Sequence, residues 1–436
     1  MRLLASVLLI ATAGVAAAQD VPWFYSVLAR QTLDANDGWA SSGPGTTGGS
    51  AADSAHIFVV TTRNELVAAL SGTDPKIIFV KGTINASVDD NNQPLACADY
   101  AAGTGYTLDA YLAAYDPAVW GRSKVPSGDL ENARKAAASN QQKRIRLNIT
   151  SNTTLVGVGD AHIVGAHVRV NSVQNVIIRN LHIDDAFDCF PQWDPTDGST
   201  GNWNSAYDNI SLTGSSGSPG ATNVWVDHCE FTDGAHPDSA QPSYFGREFV
   251  QHDGELDITN ASDLVTVSWN RFRRHDKVML IGSSDSATAD RGHLRVTIHH
   301  NLFENLVQRM PRVRFGQVHV YNNYYVLDPT TYSYSWGVGI ESQIFAENNF
   351  FQTGGQVTPD RFISVFKGTA IFADNTLVDG FLHRNQVDVV AAYNATHDPD
   401  LVDGVGWTPT FFTFVFPTPT IPILVRLGAG PFFDWH

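Results

Sequence analysis

Seven stretches of this chain repeat one pattern, and that repeat restricts the possible folds more than any single motif. They are NVIIRNLHI from Asn175, NVWVDHCEF from Asn223, LVTVSWNRF from Leu264, RVTIHHNLF from Arg295, QVHVYNNYY from Gln317, QIFAENNFF from Gln343 and AIFADNTLV from Ala370. Most have apolar residues two apart, then a polar pair, then an apolar or aromatic residue. Such alternation over a few residues marks a short strand with one buried face. The leading valine or isoleucine falls at 176, 224, 265, 296, 318, 344 and 371, so the later spacings are 31, 22, 26 and 27 residues. Those lengths suit the coils of a solenoid, while the earlier spacings of 48 and 41 imply long loops inserted on one side. Asn270, Asn301, Asn323 and Asn349 share one column, where asparagines can bond to neighbouring backbones and satisfy polar groups inside a stack. A propeller or sandwich also repeats strands, but each copy here offers one conspicuous strand and an Asn corner, not a four-stranded blade with hairpin turns. The expected fold is all-β, a right-handed parallel β-helix, with helical segments near 23–33 and 63–70 capping its N-terminal end.

Composition agrees with this fold. The chain has 436 residues, 36 glycines and only 17% charged residues, at a net charge of −16. An acidic balance argues against a general nucleic-acid binder, which needs a basic face. The first residues, MRLLASVLLIATAGVAAAQD, combine Arg2, an apolar run and Ala16-Ala17-Ala18. They read as a secretory leader over 1–18, too short for a membrane span, with one mature domain over 19–436. The chain is therefore expected to be secreted, monomeric and without membrane contact. Six Asn-x-Ser/Thr sites (Asn85, Asn148, Asn152, Asn209, Asn260, Asn394) would accept glycans in a eukaryotic host. Cys229 takes the asparagine column in its own coil and is expected to be a buried free thiol. Cys97 and Cys189 can then pair.

The scarce charge concentrates in QHDGELDI, RRHDKVMLIGSSD and QRMPRVRF, between Gln251 and Phe315. Asp253 and Asp257 lie four apart around Gly254, where a bend lets both carboxylates face one ion. Oxygen-only ligands favour calcium over zinc. Asp208, one coil earlier, can supply a third carboxylate, because residues a coil apart are neighbours up the stack. Lys277 follows one coil later, and Arg309, Arg312 and Arg314 come in the next. As a strand, PRVRF puts Val313 and Phe315 inward and Arg312 and Arg314 outward. A cation row beside a carboxylate cage suits a polyanion bridged by Ca²⁺.

These residues resemble the extracellular pectate lyases of polysaccharide lyase family 1. The likeness runs from about Gly38 to Trp407 and is densest from NVIIRNLHI to QVHVYNNYY. The resemblance implies Asp208, Asp253 and Asp257 as calcium ligands, Lys277 and Arg314 as contacts to the substrate carboxylate, and Arg309 as the catalytic base. It also implies that Trp225 and Asp227, in VWVDH, support the cleft from behind. The reaction implied is calcium-assisted β-elimination on α-1,4-linked polygalacturonate. Arginine ordinarily holds its proton to about pH 12, so a neutral Arg309 calls for crowding by Lys277, Arg314 and Ca²⁺, and for an alkaline optimum. A pectin lyase acting on esterified chains would lack the carboxylate cage, and a non-catalytic polyuronate-binding β-helix would not need Arg309. His252, His275, His299 and His300 are assigned to stacking and structural hydrogen bonds.

Overall fold

The computed structural model describes residues 21–215 and 218–432, so the expected leader over 1–18 lies outside the described residues. The alternating repeats form a parallel β-helix in which three strand ladders run along one core. The first ladder is an eight-stranded parallel sheet. It runs from Arg146–Ile149 through His167–Asn171, Ile210–Thr213, Leu256–Ile258, Leu280–Ile281, Arg312–Val313 and Trp336–Gly339 to Ile363–Phe366. The second contains the seven repeats, in the register their spacing predicts: Val176 pairs with Val224, Val224 with Val265, Val265 with Val296, Val296 with Val318 and Val318 with Ile344. The third follows each repeat after its corner, from His182–Asp184 to Thr376–Val378. The long strand Thr153–Val164 belongs to both the second and third ladders.

The two residues that follow each repeat's first strand, a polar pair in most copies, make the corner between the second and third ladders. Its first residue (Asn180, His228, Trp269, His300, Asn322, Asn348 or Asn375) takes a left-handed backbone conformation, which asparagine tolerates best. The second residue points into the stack. The side-chain oxygen of Asn301 accepts the Asn270 N–H at 2.9 Å, Asn323 accepts that of Asn301 at 3.0 Å, and Asn349 accepts that of Asn323 at 3.0 Å. Cys229 stands at the head of this column, buried and unpaired by disulfide, its N–H bonded to Asn270 Oδ1. Asn301→Ala should orphan the Asn270 N–H and the Val267 carbonyl at a cost of about 1–3 kcal/mol for each group left unpaired. A fall in the denaturant midpoint checks it, and an unchanged midpoint would mean the column is not structural.

Inside, aliphatic side chains and an aromatic stack fill the coil. Phe231, Phe272, Phe303, Tyr325 and Phe351 stack with centroids 4.3–5.1 Å apart. Each such burial contributes about 1.5–3 kcal/mol from the water it sheds. The helix Arg63–Ala69, started by a Thr62/Glu65 capping box, inserts Leu66 into this core and closes its end as expected. The helix Trp23–Arg30 does not cap. Its Tyr25, Leu28 and Ala29 pack on Ile77, Phe79, Val156 and Val158, the outward residues of strands whose inward residues are Ile78, Val80 and Leu155.

The excursion over 86–145 departs from the sequence reading. It forms helices Cys97–Ala101, Leu108–Tyr115, Pro117–Trp120 and Asp129–Ile145, which pack on the loop insertions through Tyr106, Tyr111, Phe190, Trp193 and Trp203. The Cys97–Cys189 disulfide ties this excursion to the first insertion, across 92 residues. Asn209 is buried, its side-chain oxygen accepting the Ala186 N–H, so this acceptor sequence has no room for a glycan.

Candidate active site

The charged residues gather on the outer face of the first ladder, each contributed by a successive coil. Asp208 precedes the strand Ile210–Thr213, and the register Ile210 with Leu256 and Ser211 with Asp257 brings it beside the HDGELD bend one coil on. Bridges from Gly254 to Lys277 and from Lys277 to Gln308 extend the row to Arg309. Coils in a parallel stack are about 4.8 Å apart, so residues remote in sequence share one surface.

Gly254 is the pivot of the acidic half. A Cβ on it would lie 2.4 Å from Asp257 Oδ1 and 3.0 Å from Asp208 Oδ1, so these two oxygens flank a point that only glycine leaves open. Asp208 Oδ1 also accepts the Gly254 N–H at 3.0 Å, and Asp257 Oδ1 accepts the Leu280 N–H at 2.9 Å. The third carboxylate is drawn aside, with Asp253 Oδ1 accepting from Lys277 Nζ at 2.8 Å. The donor atoms of the three aspartates consequently do not all close to within 4.8 Å.

The electrostatics follow this geometry. Burial and the charges of Asp257 and Asp253 push the Asp208 carboxyl well above the usual carboxylate range. Burial and Asp253 push Asp257 up to about 7. Burial also acts upward on Asp253, but the Lys277 ammonium outweighs it and the net direction is down. Burial acts downward on Lys277, and Asp253 reverses that. Two carboxylates that resist ionisation, an oxygen-only donor set and a cradle open at Gly254 fit a hard divalent cation.

The basic half is ordered as the alternation predicts. Val313 is buried in the core, and Arg314 lies on the opposite side of the strand, its Nε bonded to Asp285 at 2.7 Å and its Nη1 to the Gly282 carbonyl at 2.8 Å. Arg309 has positive φ and a buried Nε with no hydrogen-bond partner. Its side chain is thus held in the row without being tied to a neighbour at that atom. Arg312 stacks its guanidinium 3.8 Å over the Phe366 ring.

Two members of the row are absent from the sequence reading. Asp285 bridges Arg314 and Lys367, and hydrogen bonds from Lys367 and Arg314 pull its carboxyl down to about 2. Lys367 is exposed and extends the cations by one coil. Its signal was its place one coil beyond Gly339, with which it bridges, outside the charge-dense motifs. Behind the cleft, His275 Nδ1 meets Asp233 at 2.6 Å and its Nε2 meets the Asp253 carbonyl at 2.8 Å, bracing the HDGELD bend. Burial acts against its charge, yet Asp233 raises it to about 10. His252 is held between Asp238 and Asp185.

Trp225 and Asp227 are not brought to this cleft. They are the outward residues of a strand in the second ladder, whose Val224 and Val226 point into the core. Asp227 pairs with Arg179 and accepts from Ser268 at 3.0 Å. Trp225 bonds the same serine at 2.8 Å and carries the Arg179 guanidinium 4.5 Å over its ring. His299 and His300 belong to this side too, stacked on Tyr321 and Trp269.

Comparison with known proteins adds an independent observation. The family described as Pectate lyase matches residues 4–103 and 126–396. A pectate lyase of Bacillus subtilis is 46% identical over 414 residues, covering 92% of this chain and 94% of that one. Pectate lyase E of Dickeya chrysanthemi is 35% identical over 365 residues, covering 80% and 77%. Among solved structures, a thermostable pectate lyase superposes with a TM-score of 0.88 at 46% identity, covering 93% of this chain and 99% of that one. A pectate lyase bound to a hexasaccharide superposes at 0.86 and 46% identity, covering 93% and 98%.

Proposed function

The chain belongs to the pectate lyase family, and from that membership we propose that it is a secreted enzyme cleaving α-1,4-linked polygalacturonate by calcium-assisted β-elimination. The observation that carries this reading is the single row of three aspartates, Lys277, Arg309 and Arg314 along one face of the first ladder. An extended polyuronate presents carboxylates at regular intervals, and a row of cations spaced by coils can meet several at once. Calcium held by Asp208, Asp253 and Asp257 would supply charge neutralisation at a uronate carboxylate.

Lys277 and Arg314 hold and orient the uronate carboxylate. Their positive charge acidifies the adjacent C5–H and stabilises the negative charge that develops as the proton leaves. Arg309 removes that proton. The C5–H electron pair becomes the C4–C5 double bond, and the C4–O bond breaks with its pair leaving on the glycosidic oxygen, which takes a proton from solvent while Arg309 later releases one there. No water is consumed, and one product carries a 4,5-unsaturated end. Asp285 keeps Arg314 in place beside the cleft, and the hydrogen bond that His275 Nε2–H donates to the Asp253 carbonyl keeps the acidic bend in place.

Ultraviolet absorbance of unsaturated product, with polygalacturonate and calcium present, tests the reaction. A flat trace with bound polymer would identify a binding protein instead. The pair behind Trp225 makes a contrasting prediction. Arg179→Met leaves buried Asp227 with only His228, at 2.8 Å, and Ser268 against it, at a cost below the about 3–5 kcal/mol of a wholly unpaired buried charge. Turnover below the melting temperature should stay at the wild-type level, because Arg179 lies on the second ladder. A large loss of kcat in a folded Arg179→Met protein would tie that network to the cleft.

A further inference from the structure

The third ladder carries a second cluster of ligating side chains, on a different face from the acidic cleft. His162 and His182 are paired residues of neighbouring strands, and their rings stack with centroids 4.2 Å apart. Asp160 Oδ1 lies 2.9 Å from His162 Nε2 and 3.5 Å from His182 Nε2, and one donor atom from each of the three residues lies within 4.8 Å of the others. Among the described residues this is the one such group of three. The ring of His182 is only 8% exposed, yet its Nε2 has no hydrogen-bond partner. The Nε2 atoms of His299 and His300 are likewise unpartnered, but only that of His182 lies, among the described residues, within reach of two further ligating side chains.

The opposite ring nitrogens complete the pattern. His162 Nδ1 meets Asp184 Oδ2 at 3.1 Å, and His182 Nδ1 faces Glu230 Oε1 at 4.0 Å. At His162 the Asp184 carboxylate is close enough to hold the Nδ1–H tautomer, the usual support of a metal-binding histidine, while at His182 Glu230 stands beyond hydrogen-bond distance. Arg271 and Arg273 each approach Glu230 at 3.6 Å, so that carboxylate is balanced by cations of its own ladder. The three residues line a groove of about 750 Å³, whose far wall is the segment Arg426–Phe432.

We propose that Asp160, His162 and His182 form a second metal site that takes a borderline transition cation of the zinc class, with a coordination position open to water in the groove. Two imidazoles and one carboxylate favour such an ion over calcium, whose preference is for oxygen donors. The donor set therefore separates the two sites by metal type as well as by position.

Cobalt(II) titration of the untagged, full-length folded chain in excess calcium tests this. Saturation at one ion per chain is expected, with a visible ligand-field spectrum of low coordination number that zinc abolishes. His182→Gln should remove the spectrum while retaining the wild-type melting behaviour and polygalacturonate cleavage. Asp184→Asn, which changes the group behind His162 Nδ1 and keeps an amide oxygen able to accept from Thr232, should weaken cobalt binding about 10- to 100-fold. Absence of a saturable spectrum in the wild-type chain would overturn the proposal. An unchanged spectrum in His182→Gln would overturn it equally.

Discussion

Arg309→Lys is expected to reduce kcat on polygalacturonate by about 10²–10⁴-fold, the usual contribution of a positioned general base, with much smaller change in polymer binding. The reason is geometric before it is electrostatic. Lysine retains the positive charge, so attraction to the polyanion survives. It loses the planar fork whose Nε is buried and unpartnered at this position, and with it the placement of a proton acceptor beside C5. Initial rates of product absorbance at saturating polymer measure the effect. Wild-type kcat in the variant would remove Arg309 from proton transfer and leave it as a binding residue. Arg312→Lys offers the contrast, because its guanidinium lies on Phe366 and has no step assigned to it.

The second large effect concerns calcium and pH together. Burial and Asp253 raise Asp257 to about 7, and burial with the two neighbouring carboxylates also raises Asp208 well above its ordinary value. A raised carboxylate pKa means that the neutral form persists to higher pH, so an ion must displace protons below that range. Apparent calcium affinity should therefore fall as pH drops through about 7, by about tenfold per pH unit for each proton displaced. Above that range Asp257 is ionised and its share of the pH dependence should level off. Added calcium should shift the acid limb of the activity profile downward, and chelation should abolish turnover at every pH. Calcium affinity independent of pH across this range would separate the aspartates from the metal. Asp257→Asn removes one of the competing carboxylates, and its calcium affinity should be weaker and less steep in pH. The alkaline preference expected from arginine chemistry thus has a second source, since calcium loading and proton abstraction both favour high pH.

The sequence was most informative where side chains report their neighbours through periodicity. Val176, Val224, Val265, Val296, Val318 and Ile344 occupy one register because an alternating strand has only one face that can enter the core, and a one-residue slip would expose it. The asparagine column was equally legible, since an amide repeated at one corner can satisfy the backbone above and below. The chemistry of the cleft could be assembled from charge density and coil spacing, aided by family resemblance.

The helices over 97–145 were not legible in the same way. Their faces are defined by Phe190, Trp193 and Trp203 on a distant insertion, so no internal repeat announces them. Trp225 and Asp227 show a second thing that the motif alone did not carry, the ladder its strand joins. A motif dense in functional residue types lies on the second ladder, where Arg179 and Ser268 consume its polar groups.

By itself, then, the sequence determined the coil, its register and which side chains each turn exports, because strand alternation is a local property repeated seven times. Only the tertiary structure decided which exported side chains meet. Whether a residue faces the acidic cleft, the buried Asp227 network or the His162–His182 pair depends on which ladder its strand joins. The corners and insertions set that by turning the chain between ladders, and the opposed faces that result are separated by the core.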